Sequence, residues 1–446
     1  MRTRGMQRYR VISMASAALG LLLVGLSAGP AQAESIRAQQ WYLDAMHAPE
    51  VWKSSTGRGV TVALIDSGVD GSLADLKGQV LDGKDFSSLR GNEHTDVAGH
   101  GTSMAAIIAA TGARGGLSAS YGLAPGAKIL PIRMLDGQEV SGRMDANTEY
   151  SEKLTQAIRY AADSKAQIIN MSLALSDSPG RHDVGTPELA AAVKYALSKG
   201  KLLFAGVGNR GDKENLPSYP ASTPGVVGVG AADQKARLAA FSQRGPSVDM
   251  VAPGVDMVHA CTGGSQLCKS KGTSDATAIA SASAALIWSK HPDWTNNQVL
   301  RVMLNTLNKP ANGSQRNDFI GYGGIRLRAA MDNPGDPGPA DQYPLPDLAA
   351  AAAKSPSPES PKPTAPAKHE EAAPKSADGG GSTLLWTGVG VAAALVVGAG
   401  AAFAVFRSRR RTGTTPPPPP AYTPYVPAQS PHQPPADSHH HSEKNP

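Results

Sequence analysis

Gly272-Thr273-Ser274-Asp275-Ala276-Thr277-Ala278-Ile279-Ala280-Ser281-Ala282-Ser283-Ala284-Ala285-Leu286-Ile287-Trp288 is a run in which nearly every residue after the serine is Ala, Ser, Thr or Ile. Side chains this small predict a helix narrow enough to pack deep in the protein, close against a sheet. Ser274 falls at its start, on a rigid element, near backbone N–H groups and the positive end of the helix dipole. Those are the conditions an oxyanion-forming nucleophile needs. Small residues also simply pack helices. The stretch therefore becomes decisive only if a base, an orienting acid and an oxyanion donor stand in suitable contexts elsewhere.

The chain around it alternates strands and helices. Residues 60–65 form a continuous β-branched and apolar strand that ends at Asp66-Ser67-Gly68. His100 opens a small-residue helix through residue 110, closed by Gly112. Extended runs are expected at 127–132, 168–173, 202–207 and 226–229, and helices at 152–164 and 187–198. Thr295 and Gln298 make a capping-box pattern for a helix through residue 307. Buried apolar strands alternating with helices predict an α/β fold, three layers in αβα order, with a mostly parallel sheet covered on both faces. Functional groups collect at the carboxyl ends of such strands. Asp66 and Asn209 both fall there.

Hydrolysis of an amide needs a nucleophile, a base, a group to hold the base and donors for the oxyanion. Ser274 is read as the nucleophile and His100 as the base that later returns its proton to the leaving amine. Asp66 would accept from the imidazole and fix its tautomer. Asn209, in Ala205-Gly206-Val207-Gly208-Asn209, would donate its side-chain amide to the oxyanion beside the backbone N–H of Ser274. Taken singly, Asp66 reads equally as a turn or cap residue, His100 as a helix start and Asn209 as a turn before Arg210-Gly211. Together, each stands in the context its role requires.

The two ends of the chain define its surroundings. Residues 1–33 carry Arg2, Arg4, Arg8 and Arg10, an apolar core over 11–26 and Ala31-Gln32-Ala33 before Glu34, the pattern of a cleaved secretory signal, with an uncleaved anchor as the alternative. Residues 384–406 are apolar and uncharged, and at about 1.5 Å per residue would reach roughly 34 Å, enough to cross a bilayer. Arg407, Arg409, Arg410 and Arg411 follow and predict a cytoplasmic tail over 407–446. Residues 333–382, rich in Pro, Ala, Ser, Lys and Glu, read as a disordered stalk. The expected organisation is a signal at 1–33, an N-terminal extension at 34–58, a folded domain at 59–332, then the stalk, one membrane helix and the tail. It places the catalytic domain outside a cell membrane that the chain crosses once. The net charge of +6 owes much to the terminal Arg clusters, and no basic-aromatic pattern points to nucleic acid.

Cys261 and Cys268 are the only cysteines and sit in a Gly- and Ser-containing loop ahead of Ser274. Outside the cytoplasm they are expected to pair and brace that loop, with free thiols or an intermolecular bridge as alternatives. No loop is dense enough in carboxylates to assign calcium, so no metal and no cofactor is expected.

Val62-Ala63-Leu64-Ile65-Asp66-Ser67-Gly68-Val69-Asp70, His100-Gly101-Thr102-Ser103-Met104-Ala105 and Gly272-Thr273-Ser274 stand in an Asp, His, Ser order. With Leu123-Ala124-Pro125-Gly126-Ala127, Asn170-Met171-Ser172-Leu173, Val251-Ala252-Pro253-Gly254 and Gly321-Tyr322-Gly323, they give residues 40–332 a resemblance to the subtilisin-like serine proteases. The resemblance implies a serine endopeptidase acting on protein or peptide substrates, with Ser172 and Leu173 in the segment that pairs with substrate. Signal, subtilase domain, stalk, single helix and tail together look like a mycosin, a membrane-anchored protease of actinobacterial type VII secretion systems. That likeness implies the secretion machinery as a partner. It also implies an extension, about residues 34–50, that wraps the domain rather than being removed. A structural role in the secretion complex, with proteolysis secondary, is the alternative it leaves open. Two positions depart from the family pattern: Ala278 stands where relatives usually carry proline, and Ala174 where glycine is common. The first bears on helix geometry, the second on the width of the specificity pocket.

Overall fold

A computed structural model describes residues 34–135 and 146–354. Three short helices come first: α1 (Ile36–Gln39), α2 (Trp41–Ala45) and α3 (Ala48–Val51). Strands β1 (Thr61–Asp66), β2 (Lys84–Asp85), β3 (Lys128–Arg133), β4 (Ile168–Met171), β5 (Leu202–Gly206), β6 (Val227–Ala232) and β7 (Met250–Pro253) form one sheet in the order β2-β3-β1-β4-β5-β6-β7. Every pair in it is parallel. Helix α4 (His100–Ala109) lies between β2 and β3 in sequence. Helices α5 (Ala146–Asp163) and α6 (Pro187–Ser198) flank β4. A separate antiparallel hairpin, β8 (Met257–Ala260) with β9 (Leu267–Ser270), leads into α7 (Thr273–Lys290). Helices α8 (Asn296–Thr306), α9 (Leu327–Asp332) and α10 (Asp347–Lys354) complete the described chain.

Apart from the short edge strand β2, the strands of the parallel sheet are buried on both faces, as their continuous apolar runs require. Alternate residues of β1 serve different cores. Val62 and Leu64 join Met104, Ile107 and Ile108 of α4 and Ile279 and Leu286 of α7. Ala63 and Ile65 join Leu154 and Ile158 of α5 and Leu189 and Val193 of α6. The expected αβα layering and mostly parallel sheet are observed. Helix α7 is buried on nearly every side from Thr273 to Trp288, which explains its lack of a polar stripe.

Most expected elements differ from the observed ones by a residue or two at their ends. Helix α6 begins and ends where expected, with Pro187 in its first turn and the Thr186 side chain accepting from Leu189 N–H. Both halves of the Thr295–Gln298 capping box form. Helix α5 starts at Ala146, earlier than the expected 152, because its polar first turn is fixed by tertiary contacts: Asn147 donates to the Ser176 carbonyl (3.2 Å) and Ser151 to that of Val184 (3.0 Å). The segment read as a loop around the two cysteines is instead the β8–β9 hairpin.

The expected start of a disordered stalk at residue 333 needs correction. Residues 333–354 are fastened to the domain. Arg301 donates to the carbonyls of Pro337 (2.8 Å), Pro339 (2.9 Å) and Gln342 (2.6 Å). Leu345 is buried, and Asp347 accepts from Gly225 N–H (2.6 Å). A proline-rich chain cannot pair as a strand, but its carbonyls remain acceptors, and one guanidinium gathers three of them. Among the described residues no helix is long and apolar enough to cross a membrane. The expected signal, the remainder of the stalk, the membrane helix at 384–406 and the tail lie outside the described residues.

The N-terminal extension lies against the domain through several buried side chains, Gln40 and Tyr42 among them. The Gln40 amide donates to the Tyr121 carbonyl (2.8 Å) and the Tyr42 hydroxyl (2.7 Å), and its oxygen accepts from Tyr121 N–H (3.0 Å). Tyr42 in turn donates to the Val258 carbonyl on β8 (3.1 Å). Truncating Gln40 to Ala strands several buried polar groups and is expected to cost about 1–3 kcal/mol. The fall in the urea unfolding midpoint at constant slope measures it.

Candidate active site

Asp66 is the last residue of β1, and its side chain is only 1% exposed. A carboxylate so placed must be hydrogen-bonded. Its Oδ1 accepts from Ser67 N–H (2.8 Å) and from His100 Nδ1–H (2.7 Å). That pairing fixes the imidazole tautomer and leaves Nε2 as the ring's other nitrogen, on a side chain 37% exposed.

His100 can approach because its neighbour is glycine. A Cβ at Gly101 would lie 2.1 Å from the Gly68 carbonyl oxygen and 3.1 Å from Asp66 Cβ. The first turn of α4 therefore sits directly on the end of β1. Asp96 secures that turn. Its Oδ1 accepts from Gly99 N–H (2.8 Å) and the Ser67 hydroxyl (2.8 Å), and its Oδ2 from Thr102 N–H (2.8 Å) and the Thr102 hydroxyl (2.6 Å). An acidic side chain satisfying free N–H groups at a helix start is favourable for both hydrogen bonding and dipole reasons. Asp96 was not singled out in the sequence; an acid a few residues ahead of a glycine-led helix start was the available signal.

Ser274 lies in the first turn of α7, and its hydroxyl donates to the Ser172 carbonyl (3.2 Å). The Ser172 hydroxyl returns a bond to the Ser274 carbonyl (3.0 Å). Ser172 accepts from Asn170 (3.0 Å), and Asn170 accepts from Ser281 two helix turns deeper (2.8 Å). Thus the end of β4, with Ser172 and Leu173, is tied to α7 by buried polar contacts. Asn170 entered the sequence reading only as part of a motif; its role in this tie is visible only in three dimensions.

Asn209 follows β5, and its Oδ1 accepts from Thr273 N–H (2.8 Å) and the Thr273 hydroxyl (3.1 Å). With the oxygen so used, the amide nitrogen points elsewhere. The Cβ that Gly272 lacks would stand 3.4 Å from Asn209 Nδ2 and 3.5 Å from Ser274 N. The two donors border one small space at the N-terminus of α7, a geometry suited to a developing oxyanion. Asp66, His100, Asn209, Ser172 and Ser274 thus come from the ends of β1, β5 and β4 and the starts of α4 and α7. Cys261 and Cys268 are joined by a disulfide across the β8–β9 hairpin, which precedes Ser274. Among the described residues one trio, Asp82, Glu93 and His94, offers ligand atoms within 4.8 Å of one another. It is partly exposed and shows nothing that points to a bound ion.

Comparison with known proteins matches residues 57–323 to the subtilase family. The chain is 36% identical over 247 residues to the major intracellular serine protease of Bacillus subtilis, covering 54% of this chain and 72% of that protein. Among solved structures it resembles MycP1 from Mycobacterium smegmatis, with a TM-score of 0.59 and 27% identity over 68% of this chain and 87% of the other. It also resembles a chain of the periplasmic assembly from the ESX-5 inner membrane complex, with a TM-score of 0.60 and 26% identity over 76% of this chain and 92% of that one.

The close seating of α4 on β1 yields a test. Gly101→Ala forces the His100 turn away from Asp66, and a displacement of about 1 Å in a reacting group can cost about 10²-fold. A comparable loss in the rate of serine labelling by a fluorophosphonate is expected, with the circular dichroism spectrum retained.

Proposed function

The chain belongs to the subtilase family and is a serine peptidase, and from that premise we propose that it is a membrane-anchored extracytoplasmic endopeptidase working through Asp66, His100 and Ser274. The observation that carries the reading is the 2.7 Å contact between the buried Asp66 carboxylate and His100 Nδ1, on a helix that packs against α7, whose first turn bears Ser274.

The chemistry follows from those positions. His100 Nε2 takes the Ser274 hydroxyl proton as Oγ attacks the scissile carbonyl. Asp66 accepts from the imidazolium that forms and holds it in place. The carbonyl oxygen becomes an oxyanion and receives Asn209 Nδ2–H and Ser274 N–H. As the intermediate collapses, His100 hands its proton to the leaving amine, and an acyl group remains on Ser274. Water, activated by the same imidazole, then releases the acid. Substrate main chain would lie along Ser172 and Leu173, where the strand leaves the sheet. The disulfide braces the hairpin that delivers α7.

The signal at 1–33 and the apolar segment at 384–406 support an anchored protein with its domain outside the membrane. Association with a type VII secretion system rests on the likeness to MycP1 and MycP3, the latter described as a protease from the type VII (ESX-3) secretion system. A second reading, a stabilising component of the secretion membrane complex, is favoured by the likeness to a chain of the ESX-5 periplasmic assembly. A strain carrying only the Ser274→Ala form separates them. Normal export there, with export lost on deletion of the protein, favours the structural role.

Fluorophosphonate labelling of the full-length protein tests the nucleophile: Ser274→Ala should abolish it, and undiminished labelling would remove Ser274 from the role. Asn209→Ala should lower kcat about 10²–10³-fold with little change in KM, as loss of one oxyanion donor does in subtilisin.

A further inference from the structure

Behind Ser274 lies a second polar chain that the triad does not use. His259 on β8 is 1% exposed and Asp275, the residue after the nucleophile, is 2% exposed. His259 Nδ1 meets the Ala260 carbonyl at 3.0 Å, and Nε2 meets the Ser270 hydroxyl at 2.8 Å. Ser270 is also hydrogen-bonded to Asp275 Oδ1 by a short contact.

Counting protons in this chain decides its state. A carbonyl only accepts, so Nδ1 of His259 carries a hydrogen. The two links from Nε2 to Oγ and from Oγ to Oδ1 need two hydrogens, and Ser270 supplies one. The other resides on Asp275 Oδ1 or on His259 Nε2. Moving it requires only that Asp275 give a proton to Ser270 while Ser270 gives its own to Nε2. We propose that His259, Ser270 and Asp275 form a relay, buried at its two ends and sharing one proton, which positions Ser274 and sets the charge bordering the oxyanion pocket.

Burial pushes the Asp275 carboxyl up to about 6, and burial likewise holds His259 below the ordinary imidazole range. Both effects favour the neutral arrangement, with the proton on Asp275. The groups facing Asp275 are His100 from α4, His259 from β8 and the Tyr42 phenol from α2, which burial keeps protonated. On β9, Lys269 is engaged by Asp256 and Lys271 is exposed. The second oxygen of Asp275 would lie 3.2 Å from a Cβ on Gly272, the same point that Asn209 Nδ2 and Ser274 N border. When pH rises and the shared proton is lost, a carboxylate charge appears beside that pocket. It opposes an oxyanion there and favours the protonated form of His100.

The relay rests on the reading of Ser274 as nucleophile, and its test keeps the two apart. The rate of fluorophosphonate labelling of the full chain is followed from pH 5 to pH 9. The native chain is expected to show two ionisations on the acidic limb. Asp275→Asn mimics the protonated acid, since its amide can donate to Ser270, which then donates to His259. It should leave one ionisation, displaced to lower pH by at least roughly half a unit, about threefold in rate on that limb. Asp275→Ala, which cannot complete the chain, should be slower than Asp275→Asn at every pH. Imidazole nitrogen NMR should find neutral His259 as the Nδ1–H tautomer. Superimposable native and Asp275→Asn profiles, or an Nε2–H tautomer, would overturn the relay. Absence of labelling in the native chain at all pH values would instead overturn the role of Ser274, and the tautomer would still decide the relay.

Discussion

The contact on which the rest depends is the one between a buried carboxylate and a half-exposed imidazole at the end of β1. A carboxylate in the interior is costly unless it finds donors, and Asp66 finds them at Oδ1. Asp66 finds one in the next backbone N–H and one in His100. The second is available only because α4 starts against the strand, which in turn demands glycine at 101 and the Asp96 cap. One electrostatic need thus dictates a backbone approach, a residue without a side chain and a helix cap.

A similar economy governs the other side of the site. Helix α7 can run through the core because its side chains are small, and its polar residues are absorbed by Asn170, Ser172 and the helix's own carbonyls. Ser172 and Ser274 exchange hydrogen bonds, so the strand end and the helix start are one unit. Asn209 is oriented by Thr273, immediately before the nucleophile, so its donor cannot be placed independently of Ser274. Such mutual fixing is how donors come to be in place before charge develops.

The segments outside the sheet are joined to this core rather than draped on it. Gln40 and Tyr42 tie the N-terminal extension to Tyr121 and to β8. Strand β8 carries His259, whose partner Ser270 on β9 reaches Asp275. The disulfide between Cys261 and Cys268 closes that hairpin. The extension is therefore connected, through these hydrogen bonds and the backbone of β8, to the residue beside Ser274. At the other end, Arg301 and Gly225 hold residues 337–347 against the domain.

Local pattern made much of this legible. Continuous apolar runs between helices identify the buried parallel sheet, because a strand covered on both faces cannot alternate. The small-residue run after Ser274 identifies the central helix, because only a thin helix can lie there. Asp66, His100, Asn209 and Ser274 could be singled out because each stands at a strand end or helix start. Other features had no local signal. The hairpin at 257–270, the early start of α5 and the docking of residues 333–354 depend on partners distant in sequence, and a proline-rich segment reads alike whether free or held by Arg301. The same is true of His259, Ser270 and Asp275. Their residue types were visible throughout, but the proton they share exists only because folding brings three side chains into one line, with His259 and Asp275 buried at its ends.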